Sequence, residues 1–218
     1  GVNNLKPVDF LYDNLGMQNN LFQSALETKV ESFVFLGSSC IYPRDCPQPI
    51  REEYLMTGPL EESNSAYAIA KIAGIEMVKS VRKQYGLNWI SLMPTNLYGA
   101  GDNFNLSDSH VLPAMIRKIV EAKRSGISSV TFWGTGSPLR EFLHADDLAS
   151  AVVLSSEKYD SSSHLNVGTG QDLSILKLAS LISEIEEYGG EILWDSTKPD
   201  GTMRKVLDIS RISALGWE

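Results

Sequence analysis

Cysteine is nearly absent from this sequence: Cys40 and Cys46 are the only two among 218 residues. Two cysteines cannot build a disulfide scaffold. No Cys-x-x-Cys pair or Cys/His cluster has zinc spacing, so no metal centre is expected. Such sparse cysteine usage suits a reducing, cytoplasmic setting. Also missing are a signal-peptide pattern and any apolar run near the twenty residues of a bilayer span, so no membrane association is expected. Basic residues number 19 against 27 acidic ones, a formal net charge of −8. A general nucleic-acid binder rests on many cationic phosphate contacts, which excludes that class. One small anionic ligand needs only a few local cations and stays possible. There is no internal repeat, no low-complexity stretch and no like-charge run of the kind that marks a disordered tail.

What is present is core-forming material in alternating blocks. Hydrophobic residues make up 43% of the chain, enough for one or two domains. Val8 to Thr28 has helical periodicity, with Pro7 at its start. Phe33-Val34-Phe35-Leu36 is a buried parallel strand that delivers the loop Gly37-Ser38-Ser39. Residues 42–66 read as a long loop, broken by four prolines and a glycine, and long loops in compact domains are usually functional. Ser65 to Tyr85 is a strong helix stopped by Gly86. Trp89 to Met93 is a strand, and Pro94 to Ser109 a polar loop. Further helices are expected over 110–125, 146–158 and 174–188, and strands over 130–133, 164–167, 191–194 and 205–207, with 140–144 extended. This alternation predicts an α/β fold with a parallel sheet.

The chemistry gathers around Ser38, Tyr67 and Lys71. Tyrosine and lysine four residues apart share one helix face. A lysine cation one turn away should favour the phenolate and lower the tyrosine pKa from its usual value near 10. A serine hydroxyl at a strand end can hold a carbonyl oxygen while tyrosine supplies a proton. The pair alone is a weak signal, equally readable as a solvated helical pair. Its placement between a strand ending in Gly37-Ser38-Ser39 and a strand followed by Pro94-Thr95-Asn96-Leu97-Tyr98-Gly99 strengthens it.

Taken together, Leu36 to Pro43, Tyr67 to Gly74 and Met93 to Gly99 resemble the sequence blocks of the GDP-L-fucose synthases. So do Asp102-Asn103-Phe104 with Ser109-His110-Val111, Trp133 to Gly136 with Arg140-Glu141-Phe142, and Lys198-Pro199-Asp200-Gly201. That family belongs to the extended short-chain dehydrogenases. The resemblance runs over essentially the whole chain. It implies a Rossmann-like parallel sheet with a smaller α/β substrate domain, and an NADPH-dependent oxidoreductase that also epimerises a GDP-linked 4-keto-6-deoxy sugar. It implies catalytic roles for Ser38, Tyr67, Lys71, Cys40 and His110, the last two as base and acid at C3 and C5. Protons beside a ketone are acidified, and both side chains can exchange protons near neutrality. It places the cofactor against Leu36, Gly37, Ser38, Ser39, Lys71, Pro94, Thr95, Asn96, Leu97 and His110. It places the GDP-sugar against Lys118, Trp133, Arg140 and Asp200, with Arg117 able to substitute for Lys118. A homodimer through Val8–Thr28 and Ser65–Tyr85 is also implied.

Plainer readings stand beside these. Cys40 could be a small buried hydrophobe, His110 a residue that caps or packs at a helix start, and Arg140 a surface partner of Glu141 or Asp147. A Lys-Pro-Asp-Gly turn is reason enough for Asp200. His144 and His164 read as structural. Other functions are an NDP-sugar epimerase or dehydratase with tightly held NAD, against which Cys40 and His110 argue, and a non-catalytic nucleotide-binding module. No Gly-x-Gly-x-x-Gly turn occurs between a strand and a helix, and Gly1 stands where a methionine would begin a chain. The expectation is therefore a fragment truncated at both ends, beginning after the family's first four strands. Residues 1–100 would be the C-terminal part of the dinucleotide domain. Residues 101–218 would be mainly substrate domain, with 140–167 returning to the Rossmann-like part.

Overall fold

The computed structural model describes residues 5–218. Its central sheet has three parallel strands. β1 (Ser32–Leu36) pairs with β2 (Asn88–Pro94), setting Phe33 opposite Trp89 and Leu36 opposite Leu92. The far edge of β2 pairs with β7 (Leu165–Val167). Side chains alternate across a strand, and both faces here are apolar. Phe35, Trp89 and Met93 pack on one face against α1 (Pro7–Glu27) and α2 (Ser65–Tyr85) through Phe22, Ile75, Val78 and Val81. Val34, Ile90, Leu92 and Leu165 meet α4 (Ala145–Lys158) and α6 (Ser210–Ala214) on the other through Leu148, Ala151 and Ile212. The sheet is thus covered on both faces, as parallel sheets require.

Local chemistry explains the two helices of the first face. α1 begins with proline at its first turn, where a missing N–H costs nothing. α2 ends at Gly86, whose φ of 70° lies in the left-handed region that glycine enters without a Cβ clash. Gly74 lets the helix approach the sheet, since a Cβ there would overlap the Phe35 ring.

A second core forms where α3 (Val111–Arg124) and α5 (Ile175–Ile185) cover the parallel pair β4 (Ser129–Trp133) and β9 (Glu191–Asp195). Met115, Ile119, Val130, Phe132, Leu178 and Ile182 fill it. Between the cores run short strands: β3 (Asn96–Tyr98), β5 (Leu139–Arg140), β6 (Phe142–His144), β8 (Leu173–Ser174) and β10 (Arg204–Lys205).

The structure differs from the sequence expectation in three places. Among the described residues the strands form four small sheets, and β5 pairs antiparallel with β8. Asn96–Tyr98, which reads as loop, is a strand paired with Phe142–His144. The partner lies far along the chain, so no local pattern announces the pairing. Within 42–66, one-turn 3₁₀ helices form at Glu52–Tyr54 and Glu62–Asn64. Among the described residues no helix is long and apolar enough to cross a membrane.

Candidate active site

β1 and β2 both end at the same rim, and the loop after β1 turns sharply there. Gly37 N–H donates to the Leu92 carbonyl at 2.8 Å, so the chain leaves the sheet only after Gly37. Ser38 then caps the 3₁₀ turn Ser39–Ile41, its hydroxyl accepting the Cys40 N–H at 3.2 Å. α2 presents Tyr67 and Lys71 to this turn. The Lys71 ammonium donates to the Leu36 carbonyl at 3.1 Å. It lies 5.2 Å from the centroid of the Phe35 ring and 5.6 Å from that of Tyr67. Leu36 and Lys71 share a groove with Gln18 and Phe35. Ser38, Cys40, Tyr67 and Lys71 therefore stand together at the carboxyl ends of two parallel strands, where ligands of open α/β sheets bind.

The electrostatics differ from expectation. Burial pushes the Tyr67 phenol above its usual range, Cys40 adds to the rise, and a hydrogen bond with Ser38 opposes it. Lys71 does not depress it, because its ammonium is drawn to the Leu36 carbonyl and the two ring faces rather than to the phenol oxygen. Burial in turn lowers the Lys71 pKa. Tyr67 is thus a proton carrier at neutral pH, the state a proton donor needs.

The second strand end supplies the other wall. Pro94 and Thr95 are buried, and the Asn96 amide donates to the Glu141 carbonyl at 2.8 Å, while Leu97 is exposed. Glu141 itself is fully buried. Its carboxylate accepts the Gly170 N–H at 2.7 Å and the Leu207 N–H at 2.9 Å, and burial raises its pKa. Glu141 is therefore no partner for Arg140. Sequence reasoning missed this anchoring role, and only the apolar context of Phe142-Leu143 hints at it.

Trp133, Arg140 and Asp200 line one cleft with Val111. Asp200 accepts the Thr135 N–H at 2.7 Å and the Thr135 hydroxyl at 2.9 Å, which locks the turn after β4. Trp133 is 71% exposed, with the Lys198 ammonium 5.8 Å from its ring centroid. Burial presses the Arg140 pKa down and Asp200 opposes it. His110 is exposed and caps α3, immediately before the cleft residue Val111, without a side-chain capping bond. Lys118 lies apart from the cleft lining. Its ammonium reaches the Thr131 carbonyl at 3.5 Å and the Phe132 ring at 5.6 Å. Arg117 pairs with Glu121 and donates to the Phe104 carbonyl.

Sequence reasoning also missed Lys205, whose ammonium lies 3.7 Å from the Cys40 sulfur. It missed a buried polar knot as well. The Tyr42 hydroxyl donates to Asn166 Oδ1 at 2.5 Å and meets His164 Nε2 at 3.0 Å. The Asn166 N–H donates to Glu52, and its amide to the Ile50 carbonyl. The knot fixes the chain just beyond Cys40. No local motif signals it, because its members lie in distant parts of the sequence.

With this geometry in view, comparison with known proteins places the chain. Residues 1–168 match the model of the NAD dependent epimerase/dehydratase family. The chain belongs to that family. Within it, Probable GDP-L-fucose synthase 1 of Oryza sativa subsp. japonica is 52% identical over 218 residues, covering 100% of this chain and 66% of that protein. The chain thus spans about two thirds of the length of the curated relatives it matches. A crystal structure of a GDP-6-OMe-4-keto-L-xylo-heptose reductase from C. jejuni superposes with a TM-score of 0.93 at 35% identity, covering 100% of this chain and 74% of the other. A GDP-L-fucose synthetase from Naegleria fowleri bound to NADP gives 0.91 at 29% identity, covering 97% and 68%.

Proposed function

We propose that this protein takes part in NADPH-dependent 3,5-epimerisation and 4-reduction of GDP-4-keto-6-deoxy-D-mannose to GDP-L-fucose. The observation that carries the reading is the gathering of Ser38, Cys40, Tyr67 and Lys71 on one rim, in a chain about half identical to GDP-L-fucose synthases. The residues fit one end of the cofactor. Lys71, for which no described carboxylate lies within ion-pair distance, and the ends of β1 and β2 form a cradle for a nicotinamide riboside. The same reading assigns Leu36, Gly37, Ser38, Ser39, Pro94, Thr95, Asn96, Leu97 and His110 to the cofactor. When bound, NADPH supplies the hydride that reaches C4 of the sugar.

The side chains do the rest. Ser38 holds the C4 oxygen by a hydrogen bond, and Tyr67 gives it a proton. Cys40 removes a proton beside the ketone and His110 delivers one to the opposite face, so that C3 and C5 invert before reduction. Arg140 takes the diphosphate with its guanidinium fork, and Lys118 adds charge from the side of β4. Trp133 offers an aromatic face to the nucleotide, and Asp200 fixes the turn that carries it. Residues 1–100 with 140–167 serve the cofactor, and most of 101–218 serves the GDP-sugar; Leu207, Ile212 and Trp217 also pack on the sheet side.

The working unit is a homodimer in the cytoplasm. Val8 and Tyr12 of α1 and Ile69 and Met77 of α2 are exposed apolar residues on packed neighbouring helices, and both cysteines are free thiols.

The assay uses a chimera that adds the remaining third of the rice relative to this chain. It is given GDP-4-keto-6-deoxy-D-mannose and NADPH, and products are separated. GDP-L-fucose should form. Tyr67→Phe should lower reduction by about 10²–10⁴-fold while epimeric keto sugar still accumulates. Cys40→Ser and His110→Asn should each slow deuterium uptake at C3 and C5 in heavy water. Reduction by Tyr67→Phe near the parent rate would sink the assignment of the donor.

A further inference from the structure

We infer that Lys205 is a positioning residue that holds the Cys40 sulfur and sets its reactivity. This rests on the proposed role of Cys40 in proton transfer. The Lys205 ammonium lies 3.7 Å from the Cys40 sulfur, in a small pocket that both residues line with Gln48 and Asn64. Two other cations border that pocket, and each has its own carboxylate: Arg44 pairs with Asp45, and Arg204 with Asp172. Among the described residues no carboxylate lies within ion-pair distance of Lys205. A cation without a carboxylate, half-buried against a thiol, favours the sulfur anion, since a nearby opposite charge stabilises the ionised form. Lys205 also acts on Cys46. Burial raises the Cys46 pKa, and Lys205 opposes the rise.

The placement is built rather than incidental. β10 pairs in parallel with β5, with Lys205 opposite Arg140. The next residue is held twice: Val206 N–H donates to Gln48 Oε1 at 2.9 Å, and its carbonyl accepts the Ile50 N–H at 2.8 Å. Leu207 N–H is bound by buried Glu141. From the other side, Cys40 sits between the Ser38 cap and Tyr42, whose hydroxyl is tied to Asn166. The chain beside Lys205 is therefore held by hydrogen bonds from distant residues, and Cys40 by Ser38 and, through Tyr42, by Asn166. One short strand thus carries a cation to the thiol and, through its pairing, lies beside the arginine of the nucleotide cleft.

The test reads the thiol directly, with no substrate. In a Cys46→Ser background, so that Cys40 is the only thiol, alkylation by iodoacetamide is followed at pH 7 by mass spectrometry. Lys205→Met should slow it about three- to tenfold. The substitution withdraws the positive charge that stands against the attacking sulfur. Lys205→Arg should restore most of the rate, which a packing role would not. Lys205→Gln replaces the methionine variant if the latter is not monodisperse. Alkylation of a folded Lys205→Met or Lys205→Gln protein at the parent rate overturns the inference, as does a folded Lys205→Arg protein that is equally slow. Either result leaves the proton-transfer reading untouched. Conversely, slowed alkylation beside normal deuterium uptake by Cys40→Ser supports the inference and removes that reading.

Discussion

Gly74 sits three residues after Lys71 on α2, where an added Cβ would overlap the Phe35 ring. Phe35 also packs on Phe22 and lies beneath the Lys71 ammonium, so the ring has little room to retreat. Two effects compete in Gly74→Ala. Alanine gains up to about 1 kcal/mol of helix propensity. Overpacking a tight core costs about 1–3 kcal/mol. The second should win, with a net loss of about 1–2 kcal/mol in urea unfolding and a weakened hold on Lys71. A stabilised variant would show that the ring moves freely. At this scale, Ser38, Tyr67 and Lys71 were legible from short strand-end and i, i+4 spacings, whereas Cys40 stood out only through the family resemblance. It did not reveal Lys205, Glu141 or Asn166. Their roles depend on pairings made by the folded chain, and a residue type alone does not say which way its side chain faces. The same limit explains the sign of the Tyr67 shift: spacing predicts a lysine nearby, and only the fold shows its ammonium on the Leu36 carbonyl.

β7 carries its own prediction, about pH. His164, just before the strand, is buried, and burial lowers its pKa to about 4 from the usual 6.5. Between these values the unfolded chain binds a proton that the folded chain refuses, so stability falls as pH drops through that window. A shift of this size corresponds to roughly 3 kcal/mol across it. Glu52 and Glu141 act in the opposite sense, because burial raises both, and they favour the folded state as pH falls toward their raised values. Comparing parent with His164→Asn isolates the histidine. The stability cost of that substitution should be greatest at pH 7 and shrink toward pH 4, read from urea midpoints. A cost that stays constant over the window would mean that His164 titrates normally. The turn after β4 offers a second prediction. Asp200→Ala removes both bonds to Thr135, which should cost about 1–2 kcal/mol and weaken GDP binding through the neighbouring Trp133. Among the elements, long helices and apolar strands were legible from periodicity. Residues 140–144 and 205–207 read as extended, but β3, β8 and the pairings β3–β6 and β10–β5–β8 were not legible, because two- and three-residue strands are defined by their partners.

For the whole molecule, the two ligand sites should behave differently when the 218 residues are made alone. The cleft residues Trp133, Arg140 and Asp200 all lie within the second core or at its border, and each is held by contacts within this chain. On the proposed reading, GDP rests mainly on that cleft. NADPH is another matter. Its pyrophosphate is normally met by a glycine-rich turn and a helix N-terminus, which let the backbone approach and aim N–H groups at the charge. No such turn occurs in this sequence. The rim around Ser38, Lys71 and Leu97 would have to hold a highly charged dinucleotide from its nicotinamide end only. β1 adds to the problem, because it is an outer strand whose edge borders an apolar groove between Met17, Leu21 and Leu36. Calorimetry on monodisperse chain should therefore detect weak GDP binding and negligible NADPH binding. The chimera with the remaining third of the rice relative should bind both. Micromolar NADPH affinity in the 218 residues alone would show that the rim suffices and that the phosphate turn is dispensable.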